Sequence, residues 1–303
     1  MDSQALPYIL LLGILWGSNL VASRFGIGQF DPILFVGLRL FIASIAHLFI
    51  YLTQQGRSWP TDRQLWRRAA VLGVFGTAIP MSSIIASLQY QSSGVTAVFV
   101  TMAPAVTVLM AHFFLADETL SWRKGLGISL AFVGGALLAI QGESGIPDLE
   151  RADPRGFFLV LTGIIFGSGS VIYARKRLQG YDGFDVATVR MWVATLVLLP
   201  LVLWLGIDFS RVDGWGYFSL GFAALFATFI GLILEFHIIQ HFGATAASMT
   251  TYVIPLVATG AGAVLLGETV TAVMVMGMVL IGFGIAIVNR RRQPKRPGTI
   301  PPV

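Results

Sequence analysis

The feature that most constrains this chain is a succession of apolar runs, each about 20 residues long, separated by short polar segments. A helix needs about 20 apolar residues to cross a hydrocarbon core roughly 30 Å thick. Of the 303 residues, 55% are hydrophobic and 12% are charged. Soluble domains carry about twice that share of charge. The sequence therefore excludes a water-soluble domain and predicts an all-α integral membrane protein.

Proline, glycine and clusters of charge bound ten such runs, which predict ten transmembrane helices. The runs lie at about 7–27, 32–53, 69–89, 94–115, 123–141, 156–174, 184–205, 214–239, 243–266 and 271–289. The first run has no basic segment before it and no cleavage site after it. We therefore interpret it as a retained helix rather than a signal peptide.

The basic residues are concentrated on one side of this predicted topology. With the N-terminus inside, the inner connections and the tail hold the cations of segments 57–68, 123–124, 175–177 and 290–296. The outer connections hold Arg151, Arg155 and Arg211. Because positive charge accumulates in cytoplasmic loops, the pattern predicts a multi-pass protein of the cell inner membrane with both termini cytoplasmic. The net charge of +5 is then a topology signal, and no nucleic-acid partner is predicted.

The chain also repeats itself at an offset of about 150 positions. The paired landmarks are Gly13-x-x-x-Gly17-Ser18 with Gly163-x-x-x-Gly167-Ser168, Arg39 with Arg190, Pro104 with Pro255, and the Glu-Thr pairs at 118–119 and 268–269. Each copy holds five helices, an odd number, so the second copy must enter the membrane from the opposite side. The predicted units are residues 1–146, an inverted copy at residues 147–290, and a basic cytoplasmic tail at residues 291–303.

At these residues the sequence resembles the drug/metabolite transporter superfamily, in its ten-helix form made of two EamA-type units. The resemblance is carried by Leu15-Trp16-Gly17-Ser18-Asn19, Arg39, Leu88-Gln89-Tyr90, Gly94-Val95-Thr96-Ala97 and the two Glu-Thr pairs. Within the superfamily, the amino-acid and aromatic-metabolite exporters are the most similar. The resemblance implies that helices one to four and six to nine surround a central cavity, with helices five and ten peripheral. It also implies export as the direction of transport.

Ionisable groups at membrane depth are costly, which draws attention to three residues. Arg39 and Arg190 each lie about seven residues inside a predicted span, roughly 10 Å from the nearer boundary at about 1.5 Å per residue. Two roles stay open for them: pairing with polar groups of neighbouring helices, or contact with a substrate carboxylate. Glu235, towards the inner end of helix eight, is either a helix-end charge or a proton site.

Polar and aromatic residues of the predicted spans supply candidates for substrate binding, although each of them could instead serve packing. They are Trp16, Asn19, Ser82, Gln89, Phe99, Met102, Phe166, Tyr173, Trp192 and Tyr252. Together they describe a mostly apolar, aromatic cavity that suits a neutral or zwitterionic solute. Pro104 and Pro255 are predicted to kink their helices or to act as hinges. The two Gly-x-x-x-Gly motifs favour close helix packing.

No catalytic or metal-binding motif is present in the sequence. Cysteine is absent, and His47 and His112 have no partner at ligand spacing. His237 and His241 stand at i, i+4, but the neighbouring Glu235 projects from a different helical face, so no metal site is predicted. We expect no cofactor and no enzyme activity.

The resulting prediction is a secondary transporter that exports small metabolites, neutral or aromatic amino acids first, by alternating access. Helices one to seven offer no carboxylate near mid-depth, which favours uncoupled transport or exchange. Proton-coupled efflux of cationic drugs is the alternative within transport, and a membrane-embedded enzyme acting on lipids is the alternative from another class. The predicted partners are a small-molecule substrate and the lipid bilayer, with the oligomeric state left open.

Overall fold

A computed structural model describes residues 3–54, 57–116, 118–147, 149 and 151–289. Within these residues ten helices are long and apolar enough to cross a membrane, which confirms the expected all-α membrane fold. They are α1 (Leu6–Gly26), α2 (Pro32–Thr53), α3 (Arg63–Ser87), α4 (Ser93–Phe114), α5 (Trp122–Gln141), α6 (Pro154–Arg177), α7 (Gly183–Leu205), α8 (Gly214–Phe242), α9 (Ala246–Leu266) and α10 (Ala272–Asn289). The predicted basic tail lies outside the described residues.

Short polar side chains set most of the helix starts. The Asp31 carboxylate accepts a hydrogen bond from the Ile33 amide at 2.8 Å, and α2 then begins with a proline, which has no amide hydrogen to satisfy. Asp62 caps α3 in the same way, so that helix begins at Arg63, several residues before the apolar run predicted to start near position 69. The difference arises because the first turns of α3 are polar and do not count as an apolar span.

The two halves of the chain meet across an approximate two-fold axis. The hydroxyl oxygens of Ser44 in α2 and Thr195 in α7 lie 3.2 Å apart, both buried, and these residues are separated by 151 positions. A residue that contacts its own repeat mate must lie beside the axis, so α2 and α7 mark the centre of the molecule. The inverted repeat predicted from the landmarks is therefore present in three dimensions.

Two irregularities of the backbone occur in repeat-related helices. A π-helical segment interrupts α3 at Val74–Ala78 and α8 at Phe222–Ile230. Such segments leave the regular backbone hydrogen-bond pattern and are frequent at functional sites. The α3 segment lines the central cavity through Gly76 and Thr77, and nothing in the sequence pattern indicated either segment.

Of the two prolines predicted to kink their helices, one lies beside a helix interruption and the other lies inside a continuous helix. Helix α4 is divided into Ser93–Val100 and Ala103–Phe114, so Pro104 stands in the first turn of the second part, where its ring removes no intrahelical hydrogen bond. In α9, Pro255 lies inside the continuous stretch Thr250–Leu266. Their role as hinges stays a prediction.

The ends of the helices lie on two sides of the molecule. We call the side on which α1 begins the terminal face and the opposite side the far face. Helices with odd numbers run from the terminal face to the far face, and helices with even numbers return. The α4–α5 connection therefore lies at the terminal face, and the α9–α10 connection lies at the far face.

Helices α5 and α10 pack against each other through glycines. A Cβ atom added at Gly127 would lie 2.5 Å from the carbonyl oxygen of Gly284, and one added at Gly134 would lie 2.9 Å from that of Gly277. In lipid there is little apolar driving force between helices, so such close backbone approach supplies the packing energy. None of the residues around the central cavity comes from α5 or α10. The pair is therefore peripheral, as the resemblance implied.

The glycine-mediated contact between α5 and α10, which we call the seam, can be tested by substituting alanine at either of two nearby glycines. Gly127→Ala would force the α10 backbone outwards, and we expect a loss of about 1–3 kcal/mol and a lower midpoint of thermal unfolding in detergent. Gly125→Ala, where nothing lies within 4 Å of an added Cβ, is the matched control. It should leave the midpoint unchanged or raise it, because alanine is the better helix former. Equal effects at both positions would contradict the seam.

Candidate functional site

A cavity of about 250 Å³ lies between the two repeats. Its walls come from α1, α2, α3, α4, α7 and α9. The lining residues are Trp16, Asn19, Leu20, Arg39, Gly76, Thr77, Pro80, Met81, Ile84, Ile85, Val100, Arg190 and Ile254. The walls are mostly apolar, with an indole, an amide, a hydroxyl and two guanidinium groups among them. This is the composition of a site for a small organic solute with a polar end.

Trp16 and Asn19, two of the sequence candidates, lie in this wall one turn apart on α1. The Trp16 indole donates a hydrogen bond from Nε1 to the Ala227 carbonyl in α8 at 3.1 Å. The Gly231 backbone packs directly on the same ring, since an added Cβ would lie 2.7 Å from Nε1. The π-helical part of α8 thus holds the indole in place at the edge of the cavity.

Arg39, one of the two repeat-related arginines, is tied to the opposite half of the molecule. Its side chain is 5% exposed, and Nε donates to the Thr228 hydroxyl in α8 at 2.7 Å. Thr228 in turn donates to the Ala223 carbonyl at 2.7 Å, inside the π-helical segment. Arg39 therefore links α2 to α8 and has a defined structural partner.

Arg190, the repeat mate of Arg39, has no such partner. The position related to Thr228 by the 151-residue offset is Thr77, which also lines the cavity. The contact is not made: among the described residues, Nε of Arg190 and the hydroxyl of Thr77 are both buried with no hydrogen-bond partner. The cavity thus contains a guanidinium and a hydroxyl that are left unsatisfied where their repeat mates bind each other.

Glu235 is the charge that acts on Arg190. The two side chains interact electrostatically, although no nitrogen–oxygen distance of 4.0 Å or less joins them within the described part of the chain. Thr228, Gly231 and Glu235 follow one another at helical spacing, so Glu235 projects from the same face of α8 that meets Arg39 and Trp16. The carboxylate therefore faces the interior rather than lipid.

The structure places several other candidates away from the cavity. Phe99 and Met102 are about 1% exposed and belong to the apolar cluster around α4 and α5. Phe166 stacks on Phe75 at a centroid distance of 6.0 Å on the outer surface. Tyr173 packs against the start of α3, beside a basic depression at the terminal face. In this conformation these four side chains serve packing.

The remaining candidates are distributed around the molecule. Gln89 lines a separate depression at the far face, together with Asp31 and Arg211. The Ser82 hydroxyl and the Trp192 indole nitrogen are buried with no hydrogen-bond partner among the described residues. Tyr252 packs against the apolar cluster of α4 and α10. The cavity wall instead includes Thr77, Met81, Ile84 and Ile85 of α3, which sequence reasoning missed.

The far-face ends of α4 and α9 are joined by a carboxylate. Glu268 directly follows α9, is 9% exposed, and accepts hydrogen bonds from the Ser93 amide at 2.8 Å and the Ser93 hydroxyl at 2.7 Å. The Gly94 amide also donates to it, at 3.4 Å. These amides begin α4, where the free N–H groups and the helix dipole favour a negative charge. The contact therefore joins the start of α4 to the end of α9 at the far face.

Glu118, the repeat mate of Glu268, behaves differently at the terminal face. It accepts hydrogen bonds from Arg175 Nη1 at 2.9 Å and from Lys124 Nζ at 3.2 Å. The Arg175 hydrogen bond, with Lys124 adding to it, holds the pKa of the Glu118 carboxyl below its usual value. No contact corresponding to the Glu268 cap is seen between Glu118 and the described part of α9. The two repeat-related carboxylates thus have different partners among the described residues.

The two Gly-x-x-x-Gly motifs show the same asymmetry. Gly17 packs on α9, where an added Cβ would lie 2.8 Å from the Ile254 carbonyl oxygen. Its repeat mate Gly167 has nothing within 4 Å of an added Cβ, and Gly163 packs on α3 instead, 3.0 Å from the Pro80 carbonyl oxygen. Identical motifs therefore meet helices that are not related by the repeat.

Comparison with known proteins agrees with this architecture. The EamA-like transporter family matches residues 4–140 and again residues 154–290, one match for each repeat. The chain belongs to this family. It is therefore a multi-pass membrane transporter of the drug/metabolite transporter superfamily and not an enzyme, as the sequence predicted. A crystal structure with a TM-score of 0.65 covers 95% of this chain and 98% of its own, and at 16% identity it supports the fold alone.

Among the relatives of this EamA-family chain, three are informative. The uncharacterized inner membrane transporter YedA of Escherichia coli is 27% identical over 94% of this chain and 92% of its own. A probable terminal-alkyne amino-acid exporter of Streptantibioticus cattleyicolor is 25% identical over 97% of this chain and 96% of its own. A probable amino-acid metabolite efflux pump of Salmonella typhimurium is 24% identical over 92% of each chain.

The far-face link predicts a measurable change in accessibility. In a variant with cysteine at position 258, the only thiol of the chain lies at a fully buried site beside the Ser93–Glu268 contact. We expect Glu268→Gln to raise the rate of maleimide labelling of this thiol several-fold, because the amide is a weaker partner for the α4 amides. Glu118→Gln is the matched control and should not raise it. An unchanged rate in Glu268→Gln would show that the link does not hold the far face closed.

Proposed function

We propose that this EamA-family transporter exports neutral amino acids, aromatic or otherwise bulky ones first, through the central cavity. The observation that carries the proposal is the cavity itself: a mostly apolar chamber between the two repeats, with two arginines in its wall. An apolar wall suits the side chain of such a solute, and the charged groups suit its head group. A volume of about 250 Å³ favours a small metabolite over a larger drug.

The names of two relatives support the same class of substrate. The Streptantibioticus cattleyicolor protein is named for an amino acid and the Salmonella typhimurium protein for amino-acid metabolites, and both names describe outward transport. Each match spans more than nine tenths of both chains. We extend both features, substrate class and direction, to this chain.

The orientation we propose places the terminal face in the cytoplasm. Arg63, Arg67, Arg68 and Arg177 lie at that face, at the start of α3 and the end of α6. Cytoplasmic loops of membrane proteins carry such an excess of cations. In this orientation the far face, where Glu268 joins α9 to α4, is the outer side of the membrane.

Alternating access is the transport mechanism that the asymmetry of the repeats supports. The link at the far face is formed by Glu268 and Ser93, whereas the related Glu118 pairs with Arg175 and Lys124. Two inverted copies can exchange these arrangements, which would open one face as the other closes. The cycle requires no bound cofactor.

We also propose that transport is uncoupled or proceeds by exchange. The alternative, proton-coupled efflux of cationic drugs, needs a carboxylate that is free to bind a cation in the cavity. Glu235 is the acidic side chain that faces the interior, and its charge is opposed by Arg190. A permanently cationic drug would meet two guanidinium groups in the cavity wall, which disfavours its binding.

Exchange in proteoliposomes tests this proposal. Vesicles preloaded with unlabelled solute would receive radiolabelled neutral, aromatic, basic or acidic amino acids, or a quaternary ammonium dye, each with and without a proton gradient. We expect saturable exchange of neutral or aromatic amino acids that is independent of the gradient. Gradient-dependent transport of the dye, without exchange of any amino acid, would overturn both the substrate class and the uncoupled mechanism.

A further inference from the structure

The repeat assigns a partner to each cavity arginine, and only one of the two contacts exists. Arg39 donates to Thr228 at 2.7 Å, which satisfies its Nε. The related pair, Arg190 and Thr77, is in place around the same cavity, but the Arg190 Nε and the Thr77 hydroxyl are each buried without a hydrogen-bond partner among the described residues. The two halves of the repeat therefore differ here: one arginine–threonine pair is hydrogen-bonded and the related pair is not.

A buried guanidinium with an unused donor is costly, because each lost hydrogen bond to water must be replaced. At membrane depth few groups can replace it. A carboxylate is the best partner for an arginine, since its two oxygens match the planar donor fork. A hydroxyl beside it adds a third donor to the same anion. The unused atoms of Arg190 and Thr77 therefore have the chemistry of a carboxylate site.

Glu235 of α8 supplies an opposite charge that acts on Arg190, although it is not one of the residues that line the cavity. It has no counterpart in the first repeat, where the related position is Ile84, a cavity residue with an apolar side chain. Glu235 interacts with Arg190 electrostatically but is not joined to it by a contact of 4.0 Å or less in the described structure. A solute that carries both an anionic and a cationic group can lie between the two and satisfy each.

We propose that Arg190, Thr77 and Glu235 form a binding site for the head group of an α-amino acid. Arg190 and Thr77 donate hydrogen bonds to the carboxylate, and Glu235 accepts hydrogen bonds from the ammonium group. The side chain of the solute then lies against the apolar wall near Trp16 and Met81. This inference rests on the proposed function and adds to it the residues that recognise the substrate class.

The arrangement has a direct consequence for specificity. Binding of a zwitterion does not change the net charge of the site. A solute without the amino group leaves Glu235 unpaired, and a solute without the carboxylate leaves Arg190 unpaired. Such analogues should bind with much lower affinity, because each leaves a buried polar group without its partner. The transporter should therefore require both groups, whatever the side chain.

Competition experiments test this site. Exchange of radiolabelled L-phenylalanine would be measured in the presence of one of three unlabelled competitors. They are L-phenylalanine itself, 3-phenylpropionate, which lacks the amino group, and 2-phenylethylamine, which lacks the carboxylate. In the unsubstituted protein we expect both analogues to inhibit at least tenfold more weakly than L-phenylalanine. In Glu235→Gln the difference in inhibitory potency between 3-phenylpropionate and L-phenylalanine should become smaller. In Arg190→Gln the difference between 2-phenylethylamine and L-phenylalanine should become smaller.

Thr77→Val separates binding from folding. Valine keeps the shape of threonine and removes a hydroxyl that has no partner in the structure, so the midpoint of thermal unfolding should stay the same or rise. The apparent affinity for L-phenylalanine should nevertheless fall several-fold. Thr259→Val, which also removes a buried and unpartnered hydroxyl but lies outside the cavity wall, should change neither. Arg155→Gln, at a side chain 71% exposed, is the charge control.

The outcomes distinguish this site from the broader function. If the unsubstituted protein exchanges no amino acid, the proposed function fails and the head-group site fails with it. If it exchanges L-phenylalanine, but Arg190→Gln and Glu235→Gln retain the original discrimination against both analogues, the function stands and the head-group site is wrong. Thr77→Val with unchanged affinity removes Thr77 from the site, and loss of discrimination in Arg155→Gln would overturn the assignment.

Discussion

The constraint on which this structure depends is that lipid offers neither water for polar groups nor an apolar driving force between helices. A polar side chain at membrane depth is therefore costly unless another part of the protein or a ligand satisfies it. Arg39 meets this requirement through Thr228, and Ser44 and Thr195 meet it through each other. The Nε of Arg190 has no such partner among the described residues, which is the basis of the head-group site we propose.

The same constraint explains how the helices pack. Glycines allow backbones to approach at the α5–α10 seam, and at Gly17 they let α1 contact α9. Because these contacts depend on shape alone, a related glycine such as Gly167 can stand open without a polar cost. Separating helices at such a contact leaves no polar group unpaired, whereas separating α4 from α9 would break the hydrogen bonds between Ser93 and Glu268.

Much of the fold and part of the site could be predicted before the structure. The length of the apolar runs predicts the spans well, because the thickness of the membrane fixes that length. The main difference is at α3, which begins with polar turns that precede its apolar run. Trp16, Asn19, Arg39 and Arg190 were identified from motif and depth. Phe99, by contrast, is aromatic and near mid-span, as a cavity residue would be, yet it is buried in a helix cluster. Which face of a helix meets the cavity depends on its neighbours, and the hydropathy of a span that is apolar all round carries no such information.

The sequence by itself determined the number of spans, the inverted repeat, the family and the pairing of Arg39 with Arg190 as equivalents. These follow from local composition and from self-similarity, which need no knowledge of contacts. Only the tertiary structure decided that the equivalents differ: one arginine is bound to Thr228, while the other stands beside Thr77 with its Nε unused. The repeat makes these positions equivalent in sequence, but their contacts depend on the neighbouring helices, and the two Gly-x-x-x-Gly motifs show that these neighbours differ between the halves.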